Sequence, residues 1–240
     1  MSQTPDQLRE VGVRLPESYM QIIPEHAPGI IGLIDSLSNP LEIARAILTS
    51  PEIATLIHED KITVGMIKPG LKDHFDTQKA GISFSTDKDI ASYLVDDLLA
   101  KNDKIHPLFS ITIQFDDQML EEFYGVDPDN IEDLTSSPMY RMKNIVIDKD
   151  SGRTQWDSFR EMMLMGPSTF LVMGAKNGQA RELWRKEIGP SWDVTKSKPG
   201  ELRNLAISNK CNVWHGSSSE NAVLYELSVV ADQVAKMIAI

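Results

Sequence analysis

The sequence predicts an α+β protein in which a four-stranded antiparallel sheet is covered by helices on one face. Three observations predict this class. Short runs alternate apolar and polar residues as strands do, helical patterns separate those runs, and strands and helices do not alternate strictly as they do around a parallel sheet. From residue 61 the predicted order is β-α-β-α-α-β-α-β-α. With 240 residues and no internal repeat, the chain is long enough for one packed domain with an appendage.

Residues 1–59 are predicted to form an accessory helical segment, apart from the domain at residues 60–240. Asn39-Pro40 and Ser50-Pro51 each place a capping residue before a proline, which is the order that starts helices. An amphipathic pattern follows each proline. No residue pattern in this segment indicates chemistry.

Four short runs predict the strands of the sheet. They cover residues 62–66, 109–115, 169–173 and 212–214. Lys68-Pro69-Gly70 ends the first strand. In the second, every other residue is apolar, which predicts one buried face.

The predicted helices cover residues 87–101, 119–124, 156–165 and 179–188, and a last helix follows residue 219. Between the second and third of these, residues 125–155 are polar and irregular, with a small hairpin at residues 144–152. The last helix has its buried residues at helical spacing. They are Leu227, Val230, Ala231, Val234 and Ile238.

Composition excludes several classes of function. The net charge of −11 argues against broad contact with nucleic acid or anionic lipid, although it permits a small anion in a locally basic pocket. No apolar run approaches the ~20 residues that span a bilayer, and the polar N-terminus has no signal-peptide pattern. The single cysteine, Cys211, has no partner for an internal disulfide. We therefore expect a cytoplasmic protein with no membrane partner.

Residues 212–219, Asn-Val-Trp-His-Gly-Ser-Ser-Ser, contain the strongest candidate for chemistry. Gly216 lets another group approach the ring of His215 closely, because glycine has no Cβ. Ser217 and Glu220 have capping-box spacing, which predicts that Ser217 starts the last helix. Glu226 flanks the apolar stripe of that helix and needs a partner, for which His215 is suitable. The segment alone leaves open that His215 is an ordinary core or surface histidine.

Several basic residues are candidates for binding an anion near His215. Arg181 and Arg185 are four residues apart and so share one helix face. Residues 197–203, Ser-Lys-Pro-Gly-Glu-Leu-Arg, form a loop that proline stiffens and glycine bends. If Lys68, Arg185 and Arg203 converge on His215, they form a phosphate clamp. The sequence alone leaves that convergence open.

From about residue 61 to residue 235 the chain resembles the nucleoside diphosphate kinases, whose ferredoxin-like domain has this order of elements. The family's N-x-x-H-G-S-D-S signature matches residues 212–219, and its I-K-P-D motif matches residues 67–70. Its R-x-x-x-G-x-T and S-K-P-G-T-[IL]-R motifs match residues 185–191 and 197–203. A family tyrosine near the catalytic histidine matches Tyr124.

The resemblance implies a role for each matched residue. His215 would accept the phosphate, with Ser217 as its neighbouring hydroxyl and Glu226 as the acid that orients its ring. The implied phosphate and nucleotide contacts are Lys68, Arg185, Ser191, Arg203 and, for the ribose, Asn212. The family's base-stacking P-F-F motif is missing, so Trp156 is assigned to stack on the base.

The implied activity is transfer of the γ-phosphate of a nucleoside triphosphate to a nucleoside diphosphate through a phosphohistidine. Mg²⁺ would enter with ATP or another nucleotide, and the protein would be a homo-oligomer. The chain departs from the family's pattern in two ways. Gly70 and Ser218 stand where the family has aspartates, and insertions follow Gly70 and Tyr124. These departures leave two alternatives: a kinase with a different acceptor, or a nucleotide-binding or scaffold module without catalysis.

Overall fold

The computed structural model describes residues 39–84, 86–99, 101–190, 193–208 and 212–239, and the backbone of residues 13–14. Ser191 and Cys211, both named from the sequence, lie outside these residues, as does most of residues 1–38. The strands of the described chain are β1 (Val13–Arg14), β2 (Ile62–Ile67), β3 (His106–Ile113), β4 (Ser168–Gly174) and β5 (Trp214–Gly216). They form one antiparallel sheet in the order β1-β3-β4-β2-β5.

Helices connect the strands. In the described residues they are α1 (Pro40–Leu48), α2 (Pro51–His58), α3 (Leu71–His74), α4 (Thr77–Ala80), α5 (Asp87–Ser92), α6 (Asp117–Tyr124), α7 (Pro138–Lys143), α8 (Gln155–Leu164), α9 (Ala180–Ile188) and α10 (Glu220–Ile238). A π-helical stretch, Tyr93–Leu99, extends α5. Short 3₁₀ turns occur at Leu134–Ser136, Val194–Lys196 and Leu202–Leu205.

The predicted fold class is confirmed. The four predicted strands form β2 to β5 of an antiparallel sheet, in the arrangement of a ferredoxin-like α+β domain. The two-residue β1, which the sequence analysis did not predict, adds a fifth strand beside β3. No helix of the described residues is both long and apolar enough to cross a membrane.

Helices cover both faces of the sheet, so the predicted one-sided layer is wrong. Side chains alternate between faces along a strand, and Gly65 of β2 pairs with Gly216 of β5. A Cβ at Gly65 would lie 2.6 Å from the ring of Trp184, so α9 packs on this face through two strand glycines. His215 points to the other face, towards α6 and α10. The two glycines therefore make room for the indole ring of Trp184.

Strand β5 begins two residues later than predicted, at Trp214 rather than Asn212. Val213, which precedes it, has a positive φ of 62°. A left-handed residue interrupts an extended chain, so regular pairing with β2 starts only after Val213. His215 consequently lies within the strand and is paired with Met66.

The first two helices are capped as predicted. The side chains of Asn39 and Ser50 accept the N–H groups of Leu41 and Glu52, and a proline follows each cap. The described part of the N-terminal segment is not a separate unit, however. Apolar side chains of α1 and α2 belong to the same hydrophobic core as the sheet, and α1 packs against α10.

The segment between Tyr124 and Trp156 is more ordered than predicted. It contains α7, which packs against α6 and α8, and the predicted hairpin is reduced to one bridge between Val146 and Thr154. Asn221, in the first turn of α10, donates a hydrogen bond of 3.0 Å to Asp129 in this segment. The insertion therefore lies against the start of the helix that carries Glu226.

Candidate active site

His215 lies near the end of β5, with its ring between α6 and α10. Its Nε2 atom is 3.0 Å from Oε1 of Glu226. The rings of Phe123 and Tyr124 contact the imidazole edge-on, with centroid distances of 5.6 Å and 5.9 Å. The predicted contact between His215 and Glu226 is thus confirmed, and aromatic walls restrict rotation of the ring.

Ser217 positions Glu226 and does not start the helix. Its buried hydroxyl donates to Oε2 of Glu226 at 2.7 Å. The predicted cap is wrong, because Ser219 is the N-cap and its side chain accepts the N–H of Ala222. The Ser217 side chain points back into the fold, towards a buried acid that needs a second donor. Both oxygens of Glu226 are therefore engaged.

This geometry selects one tautomer of the imidazole. A carboxylate accepts hydrogen bonds, so Nε2 is the protonated nitrogen and Nδ1 keeps its lone pair. Among the described residues, Nδ1 has no hydrogen-bond partner. The side chain of His215 is 19% exposed, so part of it remains open to solvent. An imidazole that is oriented in this way can act as a nucleophile or as a general base.

Val213 is strained, and the strain lies between two candidate site residues. A β-branched residue at φ 62° is an outlier, at a cost of roughly 1–3 kcal/mol. The carbonyl of Val213 accepts the N–H of Lys68 at 2.8 Å. The left-handed residue Val213 therefore lies between Asn212, which contacts Lys68, and His215, which remains in the sheet.

Lys68 lies on the same face of the sheet as His215. It is two residues beyond Met66, the strand partner of His215, and side chains two apart share a face. Its Nζ donates to Oδ1 of Asn212 at 2.6 Å and lies 5.4 Å from the centre of the Phe159 ring. The predicted phosphate lysine and ribose asparagine are thus in direct contact beside the histidine.

Arg203 is buried with only carbonyl oxygens around its charge. Its guanidinium donates to the carbonyls of Gly189 at 2.6 Å and Trp214 at 2.9 Å, and its Nε has no partner. No acid in the described part of the chain pairs with it. Burial, followed by the charge of Arg185, lowers the pKa of Arg203 to about 10. The side chain remains charged at neutral pH, so a buried cation with no acid partner among the described residues lies next to the strand of His215.

The two arginines of α9 differ in role. Arg185 is exposed in the last turn and close enough to Arg203 to affect its charge. Arg181, one turn earlier, is 2.9 Å from Asp60 and is therefore engaged in an ion pair. Of the two, Arg185 is the one available to an anion.

The aromatic assignment from the sequence is wrong. Trp156 is only 3% exposed and packs against Phe159, with Lys143 over its ring. A ring enclosed in this way has no face for a nucleotide base. Phe159, which the sequence analysis missed, is partly exposed and contacts both Lys68 and Tyr124. The sequence places Phe159 one helical turn after Trp156, so helical spacing puts the two rings on the same face of α8. The position of Phe159 beside Lys68 depends on tertiary packing and has no signal in the sequence.

A cavity of about 250 Å³ lies beside Lys68 but does not include His215. Ser110, Thr112 and Thr169 line it from the sheet, and α5 closes it. In the residues that the structure describes, no group of three or more histidine, cysteine, aspartate or glutamate side chains is placed to hold a metal ion.

The fold and site together define an α+β domain with an oriented histidine, a buried carboxylate and neighbouring cations. No family model matches the chain, and no curated protein matches it. Solved structures that are similar in fold include two nucleoside diphosphate kinases. An NDP kinase from Pyrobaculum aerophilum is 17% identical, with a TM-score of 0.44 over 70% of this chain and 94% of that one. The nucleoside diphosphate kinase of Aquifex aeolicus is 18% identical, with a TM-score of 0.42 over 71% and 94% of the two chains.

Proposed function

We propose that this protein transfers the γ-phosphate of a nucleoside triphosphate to a nucleoside diphosphate through a phosphohistidine at His215. One observation supports this above all others. Glu226 and Ser217 hold the imidazole so that Nδ1 presents a lone pair. Lys68 directly follows β2, and Arg203 lies in a 3₁₀ turn and contacts the carbonyl of Trp214 in β5. This is the arrangement that phosphoryl transfer to an imidazole requires.

In the first half-reaction, the Nδ1 lone pair forms a bond to the γ-phosphorus. The bond between that phosphorus and the bridging oxygen breaks, and the diphosphate leaves with the electron pair. Positive charge develops on the imidazole, where Glu226 stabilises it. In the second half-reaction an oxygen of another nucleoside diphosphate attacks the same phosphorus, and His215 leaves. Such transfers depend on positioning and charge stabilisation, which Lys68, Arg185 and Arg203 would supply.

Mg²⁺ is part of the proposal as a component of the bound nucleotide. Both oxygens of Glu226 are engaged by His215 and Ser217, so we assign this acid to orienting the imidazole and not to holding the metal. Phosphate oxygens of the nucleotide would hold the ion, and it would neutralise their charge. We further propose that the protein works as a homo-oligomer in a reducing cytoplasm.

Incubation with ATP labelled at the γ-phosphate tests the proposal. Phosphohistidine is lost in acid and survives alkali, whereas phosphoserine shows the reverse. We expect the wild-type protein to carry label that is lost in acid and survives alkali. Addition of an unlabelled nucleoside diphosphate should release that label as nucleoside triphosphate. Absence of label, with nucleotide still bound, would favour a nucleotide-binding module without catalysis.

Arg203→Met is expected to raise the dissociation constant for ADP by roughly 10- to 100-fold, because a buried charge-assisted contact with phosphate is lost. Calorimetric titration measures this constant. The matched control is Lys186→Met, which removes one positive charge from an exposed position in the last turn of α9. Equal weakening by both variants would mean that net charge, and not a contact with Arg203, determines binding.

Replacement of residues 125–151 by a short linker is expected to broaden nucleotide choice. We infer that this insertion supplies contacts to the base, since α7 packs on α8, which carries Phe159. Groups that hydrogen-bond one base reject another by leaving polar groups unpaired. Transfer rates for adenine, guanine and pyrimidine nucleotides, with and without the insertion, measure the effect. A flat profile in both proteins would instead favour a solvated excursion or an oligomer contact, in keeping with exposed Ile145, Val146 and Ile147.

A further inference from the structure

The insertion that follows Gly70 packs against the loop that carries Arg203. Two backbone hydrogen bonds join residues 74–76 to residues 205–207. They run from Asp76 N–H to Leu205 O at 2.7 Å and from Ile207 N–H to His74 O at 2.8 Å, and together they pair Phe75 with Ala206 as an antiparallel bridge. This contact begins two residues after Arg203.

Side chains reinforce both ends of the insertion. Lys79 Nζ donates to the carbonyl of Asn204 at 2.7 Å, next to Arg203. At the other end, the carboxylate of Asp87 accepts the N–H groups of Gly70 and Lys72, each at 2.8 Å. Gly70 is two residues beyond Lys68. Residues 71–81 therefore connect the backbone beside Lys68 to the backbone beside Arg203.

We propose that residues 71–81 form a brace that sets the separation of Lys68 and Arg203, and thereby the affinity of the site for the phosphates of a nucleotide. The proposal rests on the proposed function, since both cations are assigned to the same ligand. The brace touches neither the imidazole of His215 nor Glu226 in the described contacts, so its effect is on binding and not on the chemical step.

Two physical arguments support the brace. Like charges repel, and Arg203 lacks an acid partner in the described residues, so its loop needs another restraint. The two carbonyl partners of Arg203 hold the guanidinium, whereas the brace holds the backbone behind it. Ordering a loop when a ligand binds weakens affinity, and an already ordered loop avoids that loss.

Asp76→Pro breaks the brace in a controlled way. Proline has no N–H, and its ring carbon would lie where the hydrogen bond to Leu205 runs. Asp76 has φ −82°, which is near the proline value, and Phe75 is extended, as a residue before proline prefers. Asp76→Ala is the matched control. It loses the capping contact with the N–H of Lys79 but keeps the backbone donor.

Calorimetric titration with ADP and steady-state kinetics provide the readout. We expect Asp76→Pro to raise Kd and KM roughly tenfold, as the loss of about one hydrogen bond does, with kcat within about twofold of wild type. Asp76→Ala keeps the hydrogen bond to Leu205 and loses only the helix cap, so it should raise Kd much less than Asp76→Pro does. Equal ADP affinity in all three proteins, or a fall in kcat at unchanged KM, would overturn the brace.

Further outcomes separate the brace from the proposed function. If wild type binds ADP but forms no phosphohistidine, the catalytic proposal fails and the titration still decides the brace. If wild type does not bind ADP, both fail.

If thermal unfolding shows that Asp76→Pro is unfolded, Lys79→Met replaces it, with exposed Lys72→Met as its control. We then expect about threefold weaker ADP binding for Lys79→Met alone, and equal affinities would overturn the brace.

Discussion

ATP labelled at the γ-phosphate is expected to label the wild-type protein and to leave the His215→Asn variant unlabelled. Asparagine removes the Nδ1 lone pair that would attack the phosphorus. The neighbouring hydroxyl of Ser217 does not replace it, because this hydroxyl is buried and donates to Glu226. The expected loss is complete within detection, since the covalent intermediate itself cannot form.

His58→Asn is the matched control for this experiment. His58 is an exposed histidine at the end of α2, 3.0 Å from Glu220, and an exposed pair of this kind contributes little to stability. The His58→Asn variant should become labelled to the same extent as the wild-type protein. Acid-labile label that persisted in His215→Asn would assign the phosphate to another residue and overturn the proposed function.

Glu226→Gln is expected to slow phosphoryl transfer by roughly 10²–10⁴-fold while the protein remains folded. A neutral amide does not stabilise the charge that develops on the imidazole. Its NH₂ group can also face Nε2, which would favour the tautomer with the proton on Nδ1 and remove the nucleophilic lone pair. Glutamine has nearly the same shape as glutamate, and the hydroxyl of Ser217 can rotate to suit it.

Rapid-quench measurement of label formation gives the rate, and ¹⁵N chemical shifts of His215 report its tautomer. Asp232→Asn provides the control, since it makes the same change of charge on the exposed face of α10. A merely structural role for Glu226 would lower the melting temperature without altering the tautomer. Unchanged rate and unchanged ¹⁵N shifts would show that Glu226 does not orient His215.

The features that the sequence predicted well are local. Asn39 and Ser50 cap helices as expected because a short polar side chain reaches only its own first turn. The alternation along β2 and β3 and the stripe of α10 are likewise visible in neighbouring residues. The contact between His215 and Glu226 was also predictable, since the two lie on consecutive elements joined by a short turn and an acid beside an apolar stripe needs a partner.

The sequence by itself therefore determined the α+β class, the principal strands and helices from residue 61 onward, and the histidine–carboxylate pair. Tertiary structure decided what depends on segments far apart in the chain. Trp184 turned Gly65 and Gly216 into a packing surface, the core enclosed Trp156, and the insertion after Gly70 joined the loop of Arg203. Periodicity shows which side chains are buried but not which neighbours bury them, because contacts between distant segments depend on shape and packing that no local pattern contains.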